Sequence, residues 1–113
     1  MIIATRDLEY VAEDGTVIPV PVCIYLPYQE AQHWRCPTTI GFPNGVKESA
    51  GLGFDAVQAL VLAINDIGNN LYFSDYHKMG RLKWGEPDKG YGFPVTKNVR
   101  DLLIGDDKRF DGE

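Results

Sequence analysis

Long hydrophobic runs are missing from this sequence of 113 residues, and no apolar stretch approaches the roughly 18 residues that cross a bilayer. The first residues also lack the basic region, the apolar stretch and the small-residue cleavage site of an export signal. Extremes of composition are absent as well, which excludes disordered and collagen-like chains. We therefore expect a soluble, cytoplasmic protein without membrane contacts.

Cysteine is scarce, with Cys23 and Cys36 as the two cysteines of the chain. A reduced pair is the default where no export signal is found, which argues against a disulfide scaffold. His33 precedes Cys36 by three residues, but this spacing matches no closed zinc motif. We therefore predict two small, buried or half-buried thiols and no metal site.

Positive charge is in short supply, since 11 Lys and Arg stand against 16 Asp and Glu, for a formal net charge of −5. Nucleic-acid binders usually present a basic field, which this chain lacks. The one local exception, Lys78, Arg81 and Lys83, is typical of a solvated surface. We therefore predict no nucleic-acid partner.

Catalytic and cofactor motifs are missing too. The chain contains no Gly-x-Gly-x-x-Gly, no Walker loop, no His-Glu-x-x-His and no EF-hand loop. No Ser or Cys nucleophile stands in a recognisable motif near a histidine. We therefore expect no cofactor and no catalytic residue, and we favour a protein that is not an enzyme.

Alternating apolar residues are the first pattern that is present, over residues 2–12 and 16–27, which predicts two half-buried strands. Arg6 interrupts the apolar side of the first strand. A three-residue loop with Gly15 in the left-handed region pairs Tyr10 with Ile18 and keeps the two apolar faces together. This register also pairs Leu8 with Val20.

Prolines shape the other edge of the second strand. Pro19 and Pro21 have no N–H and lie on the side away from the first strand, so this edge is unpaired or paired only beyond Pro21. A third strand is predicted over residues 34–42 and a fourth over residues 46–52, joined by a Pro-Asn-Gly turn. The first fifty residues therefore predict two successive hairpins.

A helix is predicted from Ala56 to about residue 73, with Asp55 as its N-cap and Gln58 completing a capping-box pattern. Its first half is apolar nearly all round, and such a helix needs a cover on two sides. Either the last forty residues or a second copy of the chain must supply the outer cover. The residues predicted to face the sheet are Val57, Leu60, Val61, Ile64, Ile67 and Leu71, and those predicted for self-association are Ala59, Leu62 and Ala63.

The rest of the chain is rich in glycine and proline. Residues 81–84 predict a brief strand and residues 98–104 a short helix with Val99, Leu102 and Leu103 facing inward. We therefore expect one domain over residues 1–104, and a frayed acidic tail over residues 105–113.

Aromatic residues gather with one His and one Asp just beyond the predicted helix. His77 is a candidate acid or base with Asp75 orienting it, although no nucleophile accompanies them. We favour the alternative that these aromatics form a second small core over the outer side of the helix. The candidate ligand or partner surface comprises Tyr72, Asp75, Tyr76, His77, Trp84, Tyr91 and Phe93.

Three stretches of the sequence carry a resemblance. The run FDAVQAL at residues 54–60, continued by Ile67-Gly68 and Leu71-Tyr72, together with GRLKW at residues 80–84 and GFPV at residues 92–95, resembles a family of small uncharacterised bacterial proteins. The resemblance is sharpest over residues 53–95. It implies a stand-alone bacterial protein of one domain, and it carries no activity, cofactor or catalytic residue.

These patterns predict an α+β fold: an antiparallel sheet of about four strands packed against one long helix, with an irregular C-terminal segment. The leading hypothesis for function is a non-enzymatic protein–protein interaction module, with a homodimer as one form. One alternative is a small-molecule binder or minor enzyme that uses the aromatic and histidine loops of residues 72–93. Another is an immunity- or antitoxin-like partner protein, which fits the acidity and the size.

Overall fold

Antiparallel strands make up the body of the structure, a computed structural model that describes residues 1–110. The strands are β1 (Ile2–Val11), β2 (Val17–Tyr25), β3 (Tyr28–Glu30), β4 (His33–Phe42), β5 (Gly45–Gly53) and β6 (Leu82–Lys83). The helices are α1 (Ala56–Phe73), α2 (Asp75–Lys78), a 3₁₀ helix (Lys97–Leu102) and α3 (Gly105–Phe110). The α+β class and both hairpins are confirmed, but six strands replace the predicted four.

The two additional strands are the short ones. β3 has three residues and pairs with the start of β4, and β6 has two residues that pair with Glu9 and Tyr10 of β1. Such short pieces carry no readable alternation, although residues 81–84 did predict the second of them. Because β5 covers one edge of β4 along residues 34–42, β2 and β3 must share its other edge. The sheet order is therefore β5, β4, β2, β1, β6, and β3 pairs with β4 on the same edge as β2.

The register predicted for the first hairpin is confirmed, with Tyr10 opposite Ile18. Gly15 adopts φ +87°, the left-handed conformation that this loop requires. Only residues 22–24 of β2 pair with β4, and they lie beyond Pro21. The earlier part of this edge stays unpaired because proline has no N–H group to donate. Gly41 of β4 leaves space for the ring of Pro21, because a Cβ atom there would lie 3.0 Å from it.

The predicted cap begins α1. Asp55 Oδ1 accepts the N–H of Gln58 at 2.8 Å, and the Gln58 side chain accepts the N–H of Phe54 at 2.7 Å. α1 then runs for 18 residues and ends at Phe73, where Ser74 follows in extended conformation. The cap therefore fixes the helix start as the sequence indicated.

The face of α1 that packs on the sheet differs from the prediction in the first half of the helix. The prediction is right for Ile67 and wrong for Val57 and Val61, which are exposed, while Ala59 and Ala63 face the sheet and are fully buried. The remaining predicted positions are buried at Leu71 and half-buried at Leu60 and Ile64. The reason lies in β5, where Gly51 and Gly53 present bare backbone to the helix. Only small helix residues fit this close approach.

The C-terminal segment (residues 84–110) covers the second half of α1. A Cβ atom on Gly68 would overlap the carbonyl oxygen of Pro94, and Asn69 exchanges two hydrogen bonds of 3.1 Å with Thr96. Val99 in the 3₁₀ helix is buried as predicted, and so is Leu103, the residue directly after this helix. Leu102 was predicted to face inward, but the tighter turn of a 3₁₀ helix leaves it exposed.

Residues 105–113 carry the prediction of a frayed acidic tail. The structure describes the first six of these residues, which form α3, and residues 111–113 lie outside the described residues. Within residues 1–110, no helix is both long enough and apolar enough to span a membrane.

Candidate functional site

Three aromatic side chains from the candidate surface form a closed cluster at the end of α1. The ring centroids of Tyr72 and His77 lie 4.7 Å apart, those of Tyr72 and Tyr91 5.1 Å, and those of His77 and Tyr91 5.5 Å. Tyr72 and Tyr91 are almost fully buried. Edge-on and tilted contacts of this kind stabilise a packed core. The cluster therefore leaves no space for a substrate between the rings.

Hydrogen bonds made by the Ser74 side chain place His77 against Tyr72. Ser74 ends α1 and starts α2, because its hydroxyl donates to the carbonyl of Leu71 at 2.7 Å and accepts the N–H of His77 at 3.2 Å. The chain therefore turns sharply and lays the one-turn helix α2 beside the end of α1. Gly90 and Gly92, with φ +89° and +76°, then bend the later loop so that Tyr91 reaches the same place.

Asp107 of α3 holds this cluster together. Its carboxylate accepts the hydroxyl of Tyr72 at 2.5 Å, the N–H of Tyr91 at 2.7 Å and the N–H of Gly92 at 2.8 Å. A Cβ atom on Gly90 would overlap this carboxylate, so the glycine makes room for it. The sequence offers no signal for this role, because Asp107 stands among other acidic residues near the end of the chain.

Burial sets the titration of the cluster. It raises the pKa of Tyr72, with the hydrogen bond to Asp107 adding to the effect, and it raises the pKa of Tyr91, with the charges of Asp107 and Asp88 adding to it. Burial lowers the pKa of His77, so the neutral imidazole is favoured. Its Nδ1 lies 2.5 Å from the Tyr91 hydroxyl, within hydrogen-bond distance. The chemistry of the cluster is therefore that of neutral, hydrogen-bonded groups.

Lowering the pH is expected to destabilise the protein through His77. Its folded-state pKa is lowered, so the unfolded chain binds the proton first, below its own pKa of about 6.5. The stabilisation is complete above that value and is lost as the pH falls toward the folded-state pKa. The free energy of unfolding, measured in urea between pH 7.5 and 5, should fall as the pH is lowered. His77→Gln should reduce this dependence on pH, and His33→Gln should retain it. An unchanged slope in His77→Gln would contradict the assignment.

Tyr76 and Asp75 lie apart from this cluster. Tyr76 packs against Tyr10 and Phe42 with ring centroids 5.0 and 5.3 Å away, and its hydroxyl accepts the N–H of Asn44 at 3.2 Å. Asp75 is exposed at the start of α2, whereas the ring of His77 faces Tyr72 and Tyr91. Tyr76 thus closes one end of the sheet, and Asp75 does not orient the histidine.

Arg6 explains the interrupted alternation in β1. Its guanidinium lies between Trp84 and Phe93, 3.9 and 4.8 Å from the ring centroids, and donates to the carbonyls of Tyr91 at 3.2 Å and Gly92 at 2.9 Å. Cation–π contacts and hydrogen bonds to carbonyls are both favourable for a partly buried arginine. The single arginine in an otherwise apolar row of β1 was the sequence signal of this contact, but the two carbonyls that it binds lie 85 and 86 residues away.

A cavity of about 700 Å³ lies beside this arginine contact. Its lining includes the aromatic Trp84 and Phe93, the apolar Leu103, and the charged Lys89 and Asp106. Its size is within the range of small-molecule sites. Two predicted site residues, Trp84 and Phe93, therefore line an open cavity, while Tyr72, His77 and Tyr91 fill a closed cluster.

The three residues predicted for self-association separate in the structure. Ala59 and Ala63 are fully buried against β5, and Leu62 is 43% exposed. Both cysteines are free thiols, with Cys36 buried and Cys23 half-buried. Residues 1–110 contain no group of three or more His, Cys, Asp or Glu side chains placed to hold a metal ion.

These features define an α+β protein with one antiparallel sheet, one main helix and a closed aromatic cluster pinned by a carboxylate. Residues 4–95 match the family described as Domain of unknown function (DUF6968), and the chain belongs to this family. The match includes all of residues 53–95, so the resemblance to an uncharacterised family is confirmed. No curated protein and no solved structure matches the chain.

Proposed function

We propose that this protein is a protein–protein interaction module that associates with a second copy of itself through the exposed side of α1. The observation that carries the proposal is how little charge α1 carries. α1 contains one charged residue in 18, Asp66, whose carboxylate accepts a hydrogen bond from the Ser49 hydroxyl of β5. An exposed helix side normally carries charged residues, whereas the centres of interfaces are depleted of them.

Large apolar side chains occupy the uncovered side instead. The C-terminal segment packs on Gly68, whereas Val57, Val61 and Leu62 in the first turns of the helix are exposed. Apolar residues exposed together mark an interaction surface more often than isolated ones do. The exposed apolar residues of α1 are Val57, Val61, Leu62 and Phe73.

Leu62→Asp is expected to dissociate the dimer, because the carboxylate would lose its hydration inside an apolar contact. Leu102→Asp is the matched control, since Leu102 is 45% exposed and Leu62 is 43% exposed, and Leu102 lies on the 3₁₀ helix. Native mass spectrometry and light scattering should show a dimer for the wild type and for Leu102→Asp, and a folded monomer for Leu62→Asp. A monomeric wild type at all accessible concentrations would refute self-association.

A second proposed function is small-molecule binding in the cavity beside Trp84. Its support is the combination of apolar, aromatic and charged lining residues in one cavity of about 700 Å³. The same native spectrum tests it, because a retained ligand adds mass that disappears on denaturation. If the Trp84→Ala protein still carries the ligand mass, the ligand binds outside this cavity and the proposal is wrong.

A further inference from the structure

We infer that the second copy joins at β5, so that the two sheets become one continuous antiparallel sheet across a two-fold axis. The inference rests on the proposed self-association and adds the strand, the register and the contacts. β5 pairs with β4 along its whole length, Gly45–Gly53, and within residues 1–110 no strand pairs with its other edge. A nine-residue strand with one free edge is a template for a further strand.

The free edge can donate and accept hydrogen bonds along its full length. Phe42 and Gly45 close a two-residue hairpin turn, so the odd-numbered residues of β5 direct their backbone groups toward β4. The even-numbered residues direct theirs outward, and none of them is proline. The outward residues are Val46, Glu48, Ala50 and Leu52.

Charge and strand length together select one register for two copies of β5. A two-fold axis places the central residue opposite itself, so a centre at Lys47 or Glu48 would set like charges against each other. A centre at Ser49 avoids this and pairs all nine residues. Val46 then lies opposite Leu52 of the second copy, and these two side chains are 64% and 48% exposed in one chain.

The other face of the pairing is complementary in charge. Lys47 and Ser49 share the face of β5 that carries α1, and in this register Lys47 lies diagonal to Ser49 of the second copy. That serine donates to Asp66, so each ammonium group approaches a carboxylate of the other chain. Leu62 and Phe73 lie on the same side of α1 as Asp66, four and seven residues from it, and therefore face the second helix.

Disulfide cross-linking between introduced cysteines tests this register directly. In a Cys23→Ser background, V46C and L52C proteins mixed and mildly oxidised should form V46C–L52C dimers, because opposite residues lie about 5.5 Å apart between Cα atoms. Neither protein should cross-link with itself, since residues 46 of the two copies would be about 20 Å apart. Self-linked V46C would overturn this register.

Lys47→Glu provides a second measurement. It should weaken dimerisation at least about tenfold by analytical ultracentrifugation, because it places carboxylates together, and Lys97→Glu on the exposed 3₁₀ helix should have no effect. A dimer without V46C–L52C links, or one indifferent to Lys47→Glu, overturns the inference and leaves self-association standing. A monomeric wild type overturns both.

Discussion

Gly51→Ala is expected to destabilise the protein by about 3 kcal/mol, the upper part of the range for overpacked cores. The new Cβ atom would overlap the Ala59 carbonyl oxygen and the backbone of Ala63. Both obstacles are helix backbone, so no side-chain rotation relieves the overlap and α1 must move away from β5. That movement exposes a closely packed contact between the sheet and the main helix. Urea unfolding measures the loss as a lower transition midpoint.

Gly41→Ala is the matched control for this substitution. Gly41 also lies in the sheet, in β4, and its added Cβ atom would meet the ring of Pro21 at 3.0 Å. The ring is at the exposed edge of β2 and can shift by a few tenths of an ångström, so the expected cost is below about 1 kcal/mol. Equal losses in the two variants would show that backbone contact with α1 is not what requires glycine at position 51.

Asp107→Asn is expected to cost about 3 kcal/mol, because hydrogen bonds to a charged acceptor contribute about 1.5–3 kcal/mol each. The amide keeps one acceptor oxygen and turns its NH₂ group toward a donor. The affected donors are the Tyr72 hydroxyl and the N–H groups of Tyr91 and Gly92, and Tyr72 and Tyr91 are almost fully buried. The free energy of unfolding from urea titration, with near-ultraviolet circular dichroism of the tyrosines, measures the effect.

Asp106→Asn separates this effect from a general loss of negative charge. Asp106 is the exposed neighbour on the same helix, and its substitution should change stability by no more than about 0.5 kcal/mol. If both variants lose the same stability, the three hydrogen bonds to Asp107 are not what attaches α3 to the aromatic cluster.

The aromatic cluster and the free side of α1 point to different roles. Tyr72, His77 and Tyr91 are neutral, mutually packed and hydrogen-bonded, which is the arrangement of a structural core. Their contacts hold the C-terminal segment against the end of α1. In the proposed dimer, the contacts with a second copy begin at the uncharged first half of α1 and continue along β5.

The sequence by itself determined the elements whose causes are local. Alternation and a left-handed Gly15 set the first hairpin and its register, the prolines limited where β4 pairs with β2, and Asp55 with Gln58 began α1. Each of these signals acts within a few residues, through backbone conformation or a missing N–H group. They are therefore readable before any tertiary contact is known.

Only the tertiary structure decided which side of α1 is buried and which residues join the site. Ala59 and Ala63 face the sheet because glycines on a separate strand allow backbone to touch backbone, a fit that hydrophobicity alone does not express. Arg6 and Asp107 have partners far along the chain, at Gly92 and Tyr72. A charged group placed inside a fold is explained by what surrounds it there, and only the packing of distant segments supplies those surroundings.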